Sequence, residues 1–345
     1  MLKRTIQIIL ILSIAYFLQS FVTINTNEII ENKGNDLAKD LLKGRVKSMN
    51  NYCYVAVYLD GKIIKGGRYR YPHLGSDYIT KYNIDGNTEE YTYYASNDTL
   101  KGQTCCEYNI NGKLVQVLDY DSEYQLFSKK IYKYDAQSNL IEESYLQGKK
   151  LLKQIKYKYS KRGKLIEEVF KDQFSNGKTK YVYDAKTDLK IEEHYYNRKD
   201  SLYSKAKFTY NDNNILLEKA VYQYGKHYKG DVYTYDENEN LIKHFDFSKN
   251  STIGYEHTNT YKYNEKNQKI EKKLVSANEL RNHIIYEYDD AGNVIKEEII
   301  VDRGSKDITR KTLISYDNHG NWLTKTYFEN QLPYYILERE IEYYK

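Results

Sequence analysis

Residues 286–298 read YEYDDAGNVIKEE. Two tyrosines flank one spacer, an aspartate follows, and a glycine stands three residues after the aspartate. On a strand, residues two apart share a face, so Tyr286 and Tyr288 place their rings on one side and Glu287 points to the other. The short side chain of Asp289 can bond a backbone amide two residues on, as the first position of a type I turn requires. Gly292 then supplies the left-handed residue that closes a hairpin with a bulge. The stretch predicts strand, turn and returning strand.

The same pattern recurs down most of the chain. With the second aromatic as marker, it falls at Tyr82, Tyr108, Tyr134, Tyr159, Tyr183, Tyr210, Tyr235, Tyr263, Tyr288, Tyr316 and Tyr343, a period near 26 residues. Asp135, Asp184, Asp236, Asp289 and Asp317 follow five of the first ten markers, with Asn or Ser after the other five. Glycine stands three residues further on at Gly86, Gly112, Gly163, Gly292 and Gly320. Ser138, Thr187, Asn214, Glu239 and Asn267 take that place elsewhere, where looser or longer turns are expected.

Each turn is followed by an apolar pair such as Leu140-Ile141 or Val294-Ile295, and a second turn returns the chain. One period is therefore a two-stranded hairpin, and the whole is an antiparallel meander of about twenty strands. The paired rings Tyr132/Tyr134, Tyr157/Tyr159, Tyr181/Tyr183, Phe208/Tyr210, Tyr233/Tyr235, Tyr261/Tyr263 and Tyr286/Tyr288 fall on one face and form the candidate binding surface. Because twist accumulates in a large open sheet, the expected fold is all-β: a single-layer scroll or β-solenoid. An N-terminal apolar helix and a short capping helix over Asn35 to Lys43, with Leu37 and Leu41 on one face, would precede it.

The chain has 345 residues, with 41 tyrosines against two prolines, a balance suited to long uninterrupted strands. Its 53 basic and 48 acidic residues are interspersed, which argues against a nucleic-acid groove. Lys3 and Arg4 precede an apolar run from Ile6 to Val22, the pattern of a secretory signal or a short membrane anchor. The expected division is 1–22 signal or anchor, 23–46 linker and short capping helix, and 47–345 repeat domain of about eleven units. Cys53, Cys105 and Cys106 read as three semi-buried side chains without a redox role, although Cys53 could reach either of the others.

The string Tyr288-Asp289-Asp290-Ala291-Gly292-Asn293-Val294, echoed at Tyr316-Asp317-Asn318-His319-Gly320-Asn321-Trp322, resembles the YD repeat of bacterial RHS-type exported proteins. That resemblance implies a β-sheet shell, which in large members can enclose a toxic C-terminal domain. Here the chain ends within the strand at Tyr343-Tyr344-Lys345, so enclosure of such a domain is not expected. Segments such as Tyr108-Asn109-Ile110-Asn111-Gly112-Lys113-Leu114 also resemble MORN-type and YwqK-type antitoxin repeats.

No nucleotide, nucleophile-elbow or metalloprotease motif occurs, and the seven histidines are scattered singly. Asp236-x-Asn238-x-Asn240 opens like a calcium loop, but Leu241 stands where glycine is needed and Phe247 where glutamate is needed. Pairs such as Glu142-Glu143, Glu167-Glu168 and Glu192-Glu193 read as solvated strand faces, since adjacent residues point to opposite sides. No catalytic residue, metal ligand or cofactor is expected. The functional expectation is an exported, non-enzymatic binding scaffold, periplasmic, cell-surface or secreted, that engages a protein or glycan partner and no nucleic acid. It would touch the membrane only through an uncleaved N-terminal segment. A toxin-neutralising protein and a glycan-active enzyme are the alternatives.

Overall fold

A computed structural model describes residues 35–69, 77–95, 97–249, 254–301 and 308–345. Residues 1–22, with the apolar run and the expected helix, lie outside these. The unit from Asn35 to Lys345 holds one helix, α1 (Asp36–Lys39), and one antiparallel sheet of 23 strands, β1 to β23.

The meander runs as the repeat predicts, but its ends meet. β1 (Val46–Leu59) pairs on one edge with β23 (Leu332–Tyr343) from Val46↔Tyr343 to Val55↔Tyr335. On its other edge it pairs with β3 (Asp77–Tyr82) through Ser48–Asn51, and further along with β2 (Lys62–Arg68). β2 pairs with β1 alone, so 22 strands close into a barrel and the β1–β2 hairpin continues past it. The expected scroll or solenoid is therefore overturned. Closure removes both open edges, a more complete solution to edge exposure than curling.

The turns are more uniform than expected. Asp135 Oδ1 accepts from the amides of Gln137 and Asn139 at 3.0 and 2.8 Å, and Ser138 takes a φ of 65°. Asn214, Glu239 and Asn267 adopt the same left-handed place at 64°, 64° and 58°, close to Gly292 at 84°. Four of the five turns without glycine thus keep the tight form. Only the turn opened by Asp184 is longer, with its amide bonded to Leu189 and Asp188 carrying the positive φ.

The markers clasp neighbouring hairpins together. From Tyr108 to Tyr316, each marker phenol donates to a backbone carbonyl about one repeat earlier, as Tyr134 does to Leu114 at 2.8 Å and Tyr210 to Lys190 at 2.7 Å. Tyrosine is needed there because phenylalanine would leave that carbonyl without the bond.

An apolar cluster sits at the closing seam, where Leu37, Leu42, Val46, Met49 and Tyr82 are buried together. Asn35 caps α1 through Ala38, and Tyr82 donates to Asp40 at 2.7 Å. Leu42 takes the buried place expected of Leu41, which is 84% exposed with a φ of 55°. Instead of covering an open edge, α1 and the residues after it cover the junction of β1 with its two neighbours. Between β10 (Leu165–Asp172) and β21 (Ile308–Tyr316), by contrast, the buried side chains are small: Ala206, Ala220, Val221, Ser248 and Thr312. Eight strands suffice to fill a barrel with side chains, and 16 to 18 already leave a channel, so a wall of 22 encloses an open lumen.

Candidate functional site: the ringed wall of the barrel

The register carries the paired rings round the barrel on a single face. Most of the buried wall residues, among them Tyr132, Glu143, Ile155 and Tyr157, share that face, as expected of the crowded inner side of a closed sheet. Opposite them, Lys133 and Lys262 are 60% and 68% exposed. All fourteen candidate ring residues line the lumen. The turn residues Asp135, Asp184, Asp236, Asp289, Gly292, Asp317 and Gly320 lie at one rim and shape their own turns, and Asp317 also accepts from the Tyr343 phenol.

Each first ring of a pair has a polar partner directly across the ladder. Tyr132 faces Glu143, Tyr157 faces Glu168 and Tyr181 faces Glu193. Phe208 then faces Lys219, Tyr233 faces His244, Tyr261 faces Lys272 and Tyr286 faces Glu297. This layer of the wall alternates ring and polar group. It is acidic from Glu143 to Glu193, then basic or imidazole from Lys219 to Lys272.

The acidic arc is the less solvated part. Glu143 is 2% exposed and accepts from the Tyr157 phenol, and Tyr181 donates to Glu168 at 3.2 Å. Burial pushes both carboxyls above their ordinary range. Glu143 Oε2 and the Tyr132 phenol are buried without a hydrogen-bond partner. Further round, Lys190 holds its ammonium 2.6 Å from Glu193 and 5.6 and 5.0 Å from the Tyr181 and Phe208 rings. His244 stacks on Tyr233 at 4.7 Å. Rings beside charged groups offer stacking, cation–π attraction and hydrogen bonding at once.

The glutamate pairs were the signal that sequence reasoning misread. Each pair is split across the wall, as alternation demands, but the inward Glu143 is not solvated. Glu142 faces outward to Lys133 at 2.8 Å, whereas Glu143 is sealed against Tyr157. The fixed offset of the second glutamate from the turn would have placed it opposite a ring.

Four histidines pair with carboxylates along the ladder, His194 with Glu192 and His283 with Glu271 at 2.8 and 2.7 Å among them. Bonds from Lys262 and Lys273 hold Glu271 down to about 2. No cluster of possible metal ligands occurs among the described residues. All three cysteines are free; Cys53 is buried, and burial raises all three thiols.

Both faces of the wall carry charged side chains. The lumen wall carries Lys130, Glu143, Lys219 and Lys272, and the outer wall carries the pairs Lys133–Glu142, Lys205–Glu192, Lys262–Glu271 and Lys296–Glu287. A lysine on the lipid face costs about 2 to 4 kcal/mol at the bilayer centre, and a membrane barrel needs an unbroken apolar band.

No family model and no curated protein matches the sequence. Among solved structures, the TcdB2-TccC3-TEV crystal structure is 11% identical with a TM-score of 0.33, covering 81% of this chain and 19% of that one. A porin-like protein from Bacteroides uniformis is 11% identical with a TM-score of 0.30, covering 87% of this chain and 98% of that one. Another, from Bacteroides vulgatus, is 11% identical with a TM-score of 0.25 and covers 88% and 99%. The chain spans about a fifth of the length of the toxin-complex structure. Likenesses this distant carry no argument about its activity or partners.

Proposed function

We propose that the chain is an exported, non-enzymatic β-barrel of the cell envelope or extracellular space that recognises a protein or glycan partner on the wall of its lumen. The alternation of rings with charged groups round that wall is the observation that carries this reading. Export rests on Lys3, Arg4 and the apolar run to Val22. The charges on both faces support a barrel standing in water, tied to a membrane at most through its N-terminal segment.

Fractionation of the producing cell with N-terminal sequencing tests the location, and full-length protein in the cytosol would defeat it. Glycan-array and pull-down binding, compared between the wild type, the lumen variant Phe208→Ala and the outer-wall variant Lys262→Ala, tests the site. Loss in the lumen variant alone is expected; equal binding by all three would remove the wall as the binding surface.

The raised carboxyls of Glu143 and Glu168 favour a second reading, a glycan-active enzyme, because paired carboxyl groups perform glycoside hydrolysis. Hydrolysis of a polysaccharide panel that disappears in Glu168→Gln would establish it over the binding role.

A further inference from the structure

We propose that the lumen takes an acidic polysaccharide on the arc of wall from β12 (Lys190–Tyr196) to β18 (Lys269–Ser276), with sugars stacked on Phe208 and Tyr261 and anionic groups on the lysines beside them. This rests on the reading of the lumen as the binding surface and names the chemistry of the partner.

The repeat supplies its own comparison. Across from a first ring stand Glu143, Glu168, Glu193 and Glu297, but in the three hairpins between the last two of these Lys219, His244 and Lys272 take that place. Across from a marker tyrosine stand Leu140, Leu165, Leu216 and Leu241, but Lys190 and Lys269 at the two borders of this arc. Neighbouring hairpins fold with leucine and glutamate at these positions, so the fold does not ask for lysine there.

The exchanged lysines gather at two rings. Phe208 has the Lys190 and Lys219 ammonium groups 5.0 and 5.6 Å from its centre, and Tyr261 has those of Lys269 and Lys272 at 5.2 and 6.0 Å. Tyr233, stacked on His244, stands between them. The carboxylates of the arc are already engaged: Glu193 by Lys190 at 2.6 Å, Asp231 by His244 at 3.1 Å and Asp246 by His257 at 3.2 Å. Asp231 lies across the ladder from Lys219, yet Lys219, Lys269 and Lys272 form no ion pair among the described residues. These three ammonium groups are partly exposed and free to meet an anion.

From Phe208 to Tyr233, and again to Tyr261, the register moves two strands across and two residues along, roughly 12 Å each time. That step is comparable with one disaccharide of an extended polysaccharide. A sugar lays its apolar C–H face on an aromatic ring while a carboxylate or sulfate projects from its edge, so one ring with its lysines holds both. An acidic peptide brings the charge without the flat face.

Calorimetry of the full chain with four probes tests this: hyaluronan, with a carboxylate on alternate sugars; chondroitin sulfate, which adds a sulfate; a neutral chitin oligosaccharide; and polyglutamate. One or both acidic polysaccharides are expected to bind, and the tighter of them identifies the anion. Lys219→Gln with Lys272→Gln should weaken that binding by about tenfold or more and lessen its dependence on salt. Lys207→Gln with Lys243→Gln, which removes two exposed lysines from the outer face of the same arc, should leave it unchanged. Circular dichroism confirms that both double variants fold. Equal loss in the two would reduce the effect to general charge attraction and overturn the proposal, as would polyglutamate bound equally tightly through Lys219 and Lys272. Chitin oligosaccharide bound as well as hyaluronan, and lost in Phe208→Ala, overturns the anionic partner but keeps the lumen as the site. Failure of all four probes to bind also overturns the proposal, and the pull-down comparison with Phe208→Ala then judges the lumen separately.

Discussion

Asn321 and Lys43 exchange two hydrogen bonds across 278 residues of chain. The Lys43 amide donates to Asn321 Oδ1 at 2.7 Å, and Asn321 Nδ2 donates to the Lys43 carbonyl at 2.8 Å. The asparagine that follows a turn glycine near the C-terminus thereby pins the segment that enters β1. Asn321 is 2% exposed, so Asn321→Ala leaves two backbone groups without partners and should cost about 2 to 4 kcal/mol. Denaturant unfolding measures that loss. A cost below about 0.5 kcal/mol would show that the contact does not fasten the seam.

The phenol clasps can be separated from the packing of their rings. Tyr210→Phe removes only the bond to the Lys190 carbonyl and should cost about 1 kcal/mol. Tyr210→Ala also removes a half-buried ring and should cost about 2 kcal/mol, less than the 3 to 5 typical of a fully buried aromatic. Equal melting shifts for the two variants would mean that the ring contributes nothing beyond its hydroxyl.

Glu143 should make the barrel sensitive to pH. Burial raises its carboxyl in the folded state, so the folded chain holds this proton more tightly than the unfolded one. The resulting stability is complete below the unfolded value of about 4.3 and is lost as pH rises through the raised folded value. Glu143→Gln remains neutral and keeps an acceptor for Tyr157. It should therefore melt higher than the wild type at pH 8, with the gap closing towards pH 4. Melting curves that stay parallel across that range would rule out this role.

Turn chemistry offers a gain. Glu239 holds a φ of 64° that an L side chain adopts at a cost of roughly 1 to 2 kcal/mol. Glu239→Gly should stabilise the barrel by up to about 1 kcal/mol, and Gly292→Ala should destabilise it by about the same amount. Thermal melts that rank the pair in reverse order would count against the shared turn geometry.

The repeat, its turns and the single ringed face were legible because each follows from residues two to five apart. Tyr288, Asp289 and Gly292 carry a hairpin between them. Closure was not legible, because Val46↔Tyr343 joins residues almost a chain length apart and β1 carries no marker motif. Nor was the sealing of Glu143, since alternation specifies the side of the wall but not how tightly Tyr157 covers it. The uniform turns exposed the opposite error. Ser138 and Glu239 read as poor left-handed residues, yet the ladders on either side hold them there.

The seam also fixes when the fold can be completed. β1 is the first of the described strands to emerge, but its partner β23 is the last of them, and the pair Asn50 and Glu340 are 290 residues apart. Until those residues arrive, the growing sheet has two raw borders and nothing to join them, which makes this contact slow to form and the unfinished chain prone to pairing with its neighbours. Synthesis of β23 must therefore outpace encounters between half-made copies, and a chain cut short before β23 would yield not a slightly shorter barrel but an open, adhesive sheet.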